Sequence, residues 1–206
     1  MPKVLFTLKK ILTKNFDLVL LTIILLISRF YRLEEFITFL GDQGRDALII
    51  KRLLLLEKLT LIGPPTSIGG VFLGPFYYYL MTLPLAIFRL DPLGLAFFVA
   101  LLSVIFCLII YFIVKKSFGR SISLFLTSMI FSSFALTHSA RYSWNPNLLP
   151  YISFFFIYYL WRFRFQKTNI FSNIFLGVLV GIGIQLHYLA ILMIPLYFVY
   201  KTYFLK

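Results

Sequence analysis

The stretch PLGLAFFVALLSVIFCLIIYFIV, Pro92–Val114, decides the class of this protein. It carries no charge and exceeds the roughly 20 apolar residues that an α-helix needs to cross a bilayer. Lys115 and Lys116 follow it directly. An apolar run closed by lysines is typical of a transmembrane helix that ends in the cytoplasm, because Lys and Arg are enriched in loops on that side.

The whole chain shares this character. Of its 206 residues, 61% are hydrophobic and 13% are charged, whereas soluble domains have about 45–50% apolar and about 25% charged residues. We therefore predict an integral membrane protein. The net charge of +13 does not indicate nucleic-acid binding, because the basic residues separate apolar runs instead of forming one face. The single cysteine, Cys107, allows neither a disulfide framework nor a cysteine metal site.

Further apolar runs predict further spans, at Phe16–Leu33, Ser121–Ala140, Asn147–Trp161 and Thr168–Tyr200. The first has no small-residue cleavage site, so we interpret it as an uncleaved span. Asp17, Arg29 and Arg32, near its ends, are expected to snorkel to the interface. The last run is too long for one span. It predicts either a hairpin of two helices that turns near 185–188 or one long tilted helix.

The basic clusters at 3–14, 115–120, 162–167 and 201–206 all lie in the cytoplasm if the chain crosses six times. The fold class is then an all-α membrane protein, a polytopic bundle of about six transmembrane helices. Residues 1–206 form a single transmembrane domain in the plasma (inner) membrane, with the N-terminus cytoplasmic. The outer loop 34–91 contains a juxtamembrane helix at Phe76–Arg89, whose tyrosines are expected at the headgroup level.

Six of the seven acids lie in this outer loop: Glu34, Glu35, Asp42, Asp46, Glu57 and Asp91. Asp42 has two interpretations. It caps a helix at Gln43–Lys58, in which case Asp46 favours the positive end of the helix dipole. Alternatively, it performs chemistry at the membrane surface.

Two other segments contain candidate site residues. Arg141 is the only basic residue of the second outer loop, which makes it a candidate phosphate partner, although the loop is also compatible with an ordinary turn. His187 is compatible with a satisfied buried histidine or with a substrate contact. His138 and His187 have no metal-ligand spacing, and the chain contains no Walker loop.

The chain contains, in order, an uncleaved span, the acidic loop, GPFYYYL at 74–80 and RYSWNPN at 141–147. This order of segments resembles that of the lipid-carrier-dependent glycosyltransferases of the GT-C superfamily. The similarity is greatest to the N-terminal part of the protein O-mannosyltransferase and aminoarabinose transferase branch. The resemblance implies a mannosyltransferase-like enzyme that moves a sugar from a polyprenyl-phosphate donor to an unknown acceptor hydroxyl at the outer face. It also implies that Asp42 is a catalytic base or a metal-proximal carboxylate.

The resemblance leaves the remaining site residues less defined. Arg45 and Arg141 are the candidates for contact with the leaving phosphate, on charge and location. The other candidate substrate-binding residues are Asn145, Asn147, His187 and Tyr77. Some relatives have an acid where this chain has Asn145 or Asn147, so a divalent metal ion at Asp42 stays open and no cofactor is assigned. Some also have a lysine where this chain has Leu73-Gly74-Pro75.

Two other functions remain as alternatives. A transporter or lipid flippase would be expected to hold charges or broken helices at the bilayer midplane, whereas Pro92–Val114 and Ser121–Ala140 have neither a charge nor an internal proline. A non-catalytic remnant of the enzyme is the other alternative. If the resemblance holds, we expect the isolated 206-residue chain to be inactive or weakly active.

Overall fold

The structure, a computed structural model, describes residues 15–164 and 169–204. The part described is all-helical, about 76% helix, with one isolated β-bridge between Pro65 and Phe72 and no strand. The helices are α1 Phe16–Phe30, α2 Leu33–Phe36, α3 Gly41–Leu54, α4 Phe76–Ile87, α5 Leu93–Phe118, α6 Arg120–Phe131, α7 Phe134–Ser139, α8 Leu149–Arg162, α9 Ile170–Leu186 and α10 Met193–Phe204, with 3₁₀ turns at Asn145–Leu148 and Tyr188–Leu192. The predicted cytoplasmic lysines 3, 9, 10, 14, 167 and 206 lie outside the described residues.

Helix α5 confirms that the run Pro92–Val114 is helical and makes it a candidate span. Its 26 residues give a length of about 39 Å, which exceeds the roughly 30 Å hydrocarbon core of a bilayer. Within residues 15–164 and 169–204 it is the one helix that is both long and apolar enough to cross a membrane. Shorter apolar helices occur at Phe76–Ile87, Arg120–Phe131, Ile170–Leu186 and Tyr188–Tyr203. The all-helical membrane fold is therefore supported, and the count of about six crossings stays a prediction.

The described chain divides into two compact units. The first contains the residues before Phe39 and Ala96–Tyr142, and the second contains Phe39–Leu95 and the residues from Ser143 onward. In the first unit, Asp17 forms an ion pair with Arg120, which joins the start of α1 to the start of α6. The interpretation of residues 1–206 as one transmembrane domain stays a prediction.

Arg29 does not snorkel to the interface, so that expectation was wrong. Its side chain is 1% exposed. Its Nε donates to Ser103 Oγ at 3.4 Å, and its Nη2 donates to the carbonyl of Phe131 at 2.5 Å. These oxygens belong to α5 and to the end of α6. The guanidinium therefore finds its hydrogen-bond partners inside the unit, where helices distant in sequence pack together, and does not need to reach the membrane interface. A buried guanidinium needs such partners because losing water without them is costly.

The run Ser121–Ala140 is not one helix as predicted. It breaks at Ser132 and Ser133 into α6 and α7, and Ser133 has an extended backbone (ψ 141°). Ser132 Oγ donates back to the carbonyl of Ser128 at 2.5 Å. Such side-chain bonds compete with the helical pattern. The break leaves the Phe131 carbonyl available, and Arg29 and Thr137 Oγ1 both donate to it.

In the second unit, the long C-terminal run forms a hairpin, which excludes the single tilted helix. Helix α9 ends at Leu186, and α10 returns beside it, with Tyr197 Oη donating to Asn173 Oδ1 at 3.1 Å. The two helices pack on α8 through a buried apolar cluster of Phe156, Leu160, Leu176, Leu179, Ala190, Met193 and Tyr200. The predicted helix at Phe76–Arg89 is also present, as α4.

The segment between α3 and α4 forms a narrow non-helical loop. Gly63 N–H donates to the carbonyl of Leu73, and Leu73 N–H donates to that of Pro64, both at 2.9 Å. A Cβ added to Gly63 would lie 2.0 Å from the carbonyl oxygen of Gly74, so this crossing of two backbones requires glycine. The loop lies beside α3 and forms part of both cavities described next.

Candidate active site

The site is built on the first turns of α3. The N–H of Leu40 donates to Gln43 Oε1 at 2.9 Å, and the helix begins at Gly41. Asp42 is therefore the second residue of the helix and does not cap it, which overturns the capping interpretation. Its carboxylate Oδ1 instead accepts a hydrogen bond from Arg45 Nη1 at 2.9 Å, and its side chain is 52% exposed. One oxygen of this carboxylate is thus hydrogen-bonded to Arg45, and the side chain is accessible to solvent.

Arg45 links Asp42 to a second, buried carboxylate. Asp46, whose side chain is 2% exposed, accepts from Arg45 Nε at 3.0 Å and Nη2 at 2.8 Å through Oδ1. Tyr78 Oη of α4 donates to the same oxygen at 3.1 Å. Asp46 Oδ2 is buried and has no hydrogen-bond partner in the described structure. Burial raises the pKa of the Asp46 carboxyl, although Arg45 opposes this shift.

The tyrosines of α4 do not form a headgroup belt, so that prediction was wrong for two of the three. Tyr77 and Tyr78 are 0% and 1% exposed. Tyr77 Oη shares a 2.6 Å hydrogen bond with Ser143 Oγ, and burial raises the pKa of this phenol. Burial also raises the pKa of Tyr78, and the negative charge of Asp46 adds to the effect. Both phenols therefore stay protonated.

A polar cavity of about 450 Å³ opens beside Asp42, within the roughly 300–1,000 Å³ of small-molecule sites. It unites candidates that are far apart in sequence. Its side-chain walls include Asp42, Arg45, Thr66, Ser67, Trp144, Asn145, His187 and Tyr188. Asn145 Nδ2 donates to the carbonyl of Leu186 at 2.7 Å, and His187 Nδ1 accepts from the N–H of Leu189 at 3.2 Å. The two loops that contain them are thus held in place.

A second cavity of about 540 Å³, here called the basic groove, lies on the other side of Arg45. Arg45 and Pro65 line both cavities, which therefore adjoin. The cations of the groove are Arg45, Arg52 and Lys58, and its apolar walls include Leu59, Leu61, Ile62 and Phe72. In the part of the chain that the structure describes, neither Arg52 nor Lys58 has a side-chain hydrogen bond or ion pair.

The sequence contained some signal for this groove. Arg45 and Arg52 are seven residues apart, so they lie on one face of a helix. Lys58 and the apolar residues after it belong to the loop that follows α3. Helical periodicity does not extend into a loop, so the sequence could not show that they line the same groove as Arg45 and Arg52. Asp46, Tyr78, Trp144 and Tyr188 were also missed as site residues. Tyr78 and Trp144 lie in the segments GPFYYYL and RYSWNPN, but nothing in the sequence shows that these side chains reach a site.

Three sequence candidates lie elsewhere. Arg141 belongs to the first unit, where it donates to the carbonyls of Ser28 and Tyr31 at 3.1 and 2.7 Å. Asn147 is 6% exposed and does not line the polar cavity. Tyr77, buried against Ser143, lines neither cavity.

The divalent metal ion left open at Asp42 gains no complete set of carboxylate, histidine or cysteine ligands from the described residues. In residues 15–164 and 169–204, no three His, Cys, Asp or Glu side chains are close enough to hold an ion together. The carboxylate nearest in sequence to Asp42 within α3 is Asp46, and its Oδ1 already accepts three hydrogen bonds. A metal ion at Asp42 therefore stays a prediction.

Comparison with known proteins identifies the family. The family described as dolichyl-phosphate-mannose-protein mannosyltransferase matches residues 73–205, which include α4, Asn145 and His187 but not α3 with Asp42 and Arg45. No curated protein and no solved structure matches the chain. Because the family match covers more than half of the 206 residues, this chain belongs to the dolichyl-phosphate-mannose-protein mannosyltransferase family, a GT-C type of membrane glycosyltransferase.

Proposed function

We propose that this chain transfers a sugar from a polyprenyl-phosphate donor to an acceptor hydroxyl at the outer face of the plasma (inner) membrane. The N-terminus is cytoplasmic and the loop 34–91 lies outside, with several crossings between the basic clusters. The observation that carries the proposal is the pairing of two cavities at Arg45. One exposes a carboxylate, Asp42, and the other presents Arg52 and Lys58, two cations without an ion pair among the described residues, beside an apolar wall.

The basic groove suits the phosphate and the first part of the prenyl chain. A phosphate in the groove gains the attraction of Arg52 and Lys58, whose charges have no protein partner in the described structure. Leu59, Leu61 and Ile62 are each more than 60% exposed, and a prenyl chain would remove their apolar surface from water. A polyprenyl-phosphate donor has a charged phosphate beside an apolar chain, which matches the cations and the apolar wall of the groove.

Arg45 is better suited to hold Asp42 than to bind phosphate alone. Its guanidinium already contacts the carboxylates of Asp42 and Asp46. Its charge is thus balanced, and a phosphate would compete with both acids. We therefore assign the main phosphate contacts to Arg52 and Lys58, and to Arg45 the task of orienting Asp42. Arg141 has no such task in this proposal.

The chemistry then requires one base and one leaving group. The acceptor oxygen attacks the anomeric carbon of the sugar and forms the new C–O bond, while the bond from that carbon to the phosphate oxygen breaks. The bonding electron pair leaves with the phosphate, which the cations of the groove stabilise. The acceptor proton moves to Asp42, at Oδ2, because Oδ1 accepts from Arg45.

The test is Asp42→Asn in the full-length protein, with Glu57→Gln as the matched control. Glu57 is an exposed acid of the same loop and lines neither cavity. Transfer of radiolabelled sugar from a prenyl-phosphate donor is measured in membrane vesicles that contain equal amounts of inserted protein. We expect Asp42→Asn to lose at least about 100-fold in rate, the scale of general base catalysis, and Glu57→Gln to match the parent. Retained activity in Asp42→Asn would overturn the role of Asp42.

A further inference from the structure

His187 has a fixed orientation in the wall of the polar cavity. It lies between α9 and the turn Tyr188–Leu192, and its own N–H donates to the carbonyl of Gly183 at 2.9 Å. Its ring stacks on that of Tyr188, with centroids 4.5 Å apart. Because Nδ1 accepts the N–H of Leu189 at 3.2 Å, the proton of the neutral ring is on Nε2. Nε2–H is therefore the polar group of the imidazole that remains available to donate a hydrogen bond to a ligand.

The polar cavity is a poor place for a phosphate. Its charged side chains are Asp42 and Arg45, and the buried Asp46 contacts the same guanidinium. Two carboxylates against one guanidinium leave no positive charge for an anion, in contrast to the basic groove with its unpaired Arg52 and Lys58. A phosphate therefore favours the groove, and the polar cavity is left for the uncharged part of the substrate.

The uncharged lining of this cavity suits a sugar ring. Trp144 and Tyr188 line the cavity with aromatic side chains, and the C–H face of a pyranose packs well against aromatic rings. Ser67 Oγ lies 3.4 Å from Tyr188 Oη, so two hydroxyl groups meet at the wall. Sites of this kind use a few fixed polar groups to orient the ligand.

We propose that His187 is a specificity-determining residue, which donates Nε2–H to a hydroxyl oxygen of the transferred sugar. The assignment rests on the proposed function, since it places the sugar of the lipid donor in the polar cavity. A fixed donor that loses its acceptor stays unpaired, so the site discriminates against a sugar that lacks this hydroxyl.

The ring keeps this role at physiological pH. Burial lowers the pKa of His187, so the imidazole is neutral and Nδ1 stays free of a proton. The charged groups of the cavity that face it are Asp42 and Arg45 of α3, and its stacking neighbour Tyr188 is uncharged. A protonated ring would lose the hydrogen bond to Leu189 and with it the fixed orientation.

The experiment uses the two histidines of the chain. The protein is labelled with ¹⁵N at the histidine rings and arginine Nε, and is titrated in detergent with farnesyl phosphate mannose or with farnesyl phosphate. We expect the Nε2 resonance of His187 to shift only with the sugar-bearing lipid, and Arg52 Nε to shift with both. His138, which stacks on Phe134 in the first unit, is the internal control and should not move.

The outcomes separate the two proposals. If Arg52 shifts with both lipids and His187 with neither, or with both equally, the assignment of His187 is wrong and the donor site stands. If neither residue responds to either lipid, the proposed function fails together with it. A His187 ring protonated at Nδ1 would also overturn the assignment.

A variant provides a second measurement. His187→Asn places a side-chain acceptor near the position of Nδ1, so the turn at Leu189 keeps its cap, but it removes Nε2–H. We expect about tenfold weaker binding of farnesyl phosphate mannose, the scale of one lost hydrogen bond, and unchanged binding of farnesyl phosphate. Equal losses for both lipids would contradict a contact to the sugar.

Discussion

The polar cavity and the basic groove share Arg45 and Pro65 but differ in charge and in how apolar their walls are. In the polar cavity the guanidinium of Arg45 is balanced by Asp42 and Asp46. In the groove, Arg52 and Lys58 have no partner in the part of the chain described, and apolar side chains surround them. In the proposed function, helix α3 therefore separates the uncharged sugar from the anionic, apolar lipid phosphate. A lipid-linked sugar has both parts in one molecule.

The largest effect is expected from Arg45→Gln, because it removes the residue common to both cavities. Asp42 loses its orienting partner, so transfer should fall by about 100-fold or more. Asp46 is left buried without a cation, which should lower the free energy of unfolding by about 2 kcal/mol, less than for a fully buried pair because Arg45 is partly exposed. Transfer assays and thermal unfolding in detergent measure the two effects.

The double variant Arg45→Gln, Asp46→Asn sharpens this result. Removing the buried carboxylate should restore most of the stability, since no uncompensated charge remains, but it should not restore transfer. Recovery of transfer in the double variant would show that Arg45 affects only the fold and does not orient Asp42.

An intermediate effect is expected from Arg52→Gln with Lys58→Gln, which changes only the groove. Binding of farnesyl phosphate should weaken by about 10- to 100-fold, because two charges that contact the phosphate are lost. Binding of the parent should also weaken as salt is added, and that of the variant much less. Lys51→Gln is the matched control, as Lys51 is exposed on α3 but lines neither cavity. Equal losses in control and variant would show that the effect is only net charge.

The smallest effect is expected from Tyr78→Phe. It removes the 3.1 Å hydrogen bond to Asp46 Oδ1 but leaves both contacts from Arg45. We expect a loss of about 1 kcal/mol in the free energy of unfolding and a change in transfer of less than about threefold. Tyr79→Phe, which loses a bond to the carbonyl of Thr60 at an exposed position, should cost less. A large loss of transfer in Tyr78→Phe would mean that Tyr78 itself contacts the substrate.

Several parts of the fold and site followed from local pattern. The charge-free run at Pro92–Val114 predicted α5. The position of Asp42 and Arg45 on one helix was also predictable from sequence. The start of that helix was misplaced, because Gln43, which bonds Leu40 N–H, is a less common signal than an aspartate at the cap.

The sequence by itself thus determined a helical membrane protein with acids gathered before its longest apolar helix. Only the tertiary structure decided which of these acids is buried, since Asp46 depends on Tyr78, 32 residues later in the chain. It also decided that Lys58 lines the same groove as Arg52 and that His187 shares a cavity with Asp42. Apolar periodicity acts within one helix and is visible in sequence, whereas the burial and partners of a polar side chain depend on where distant segments return.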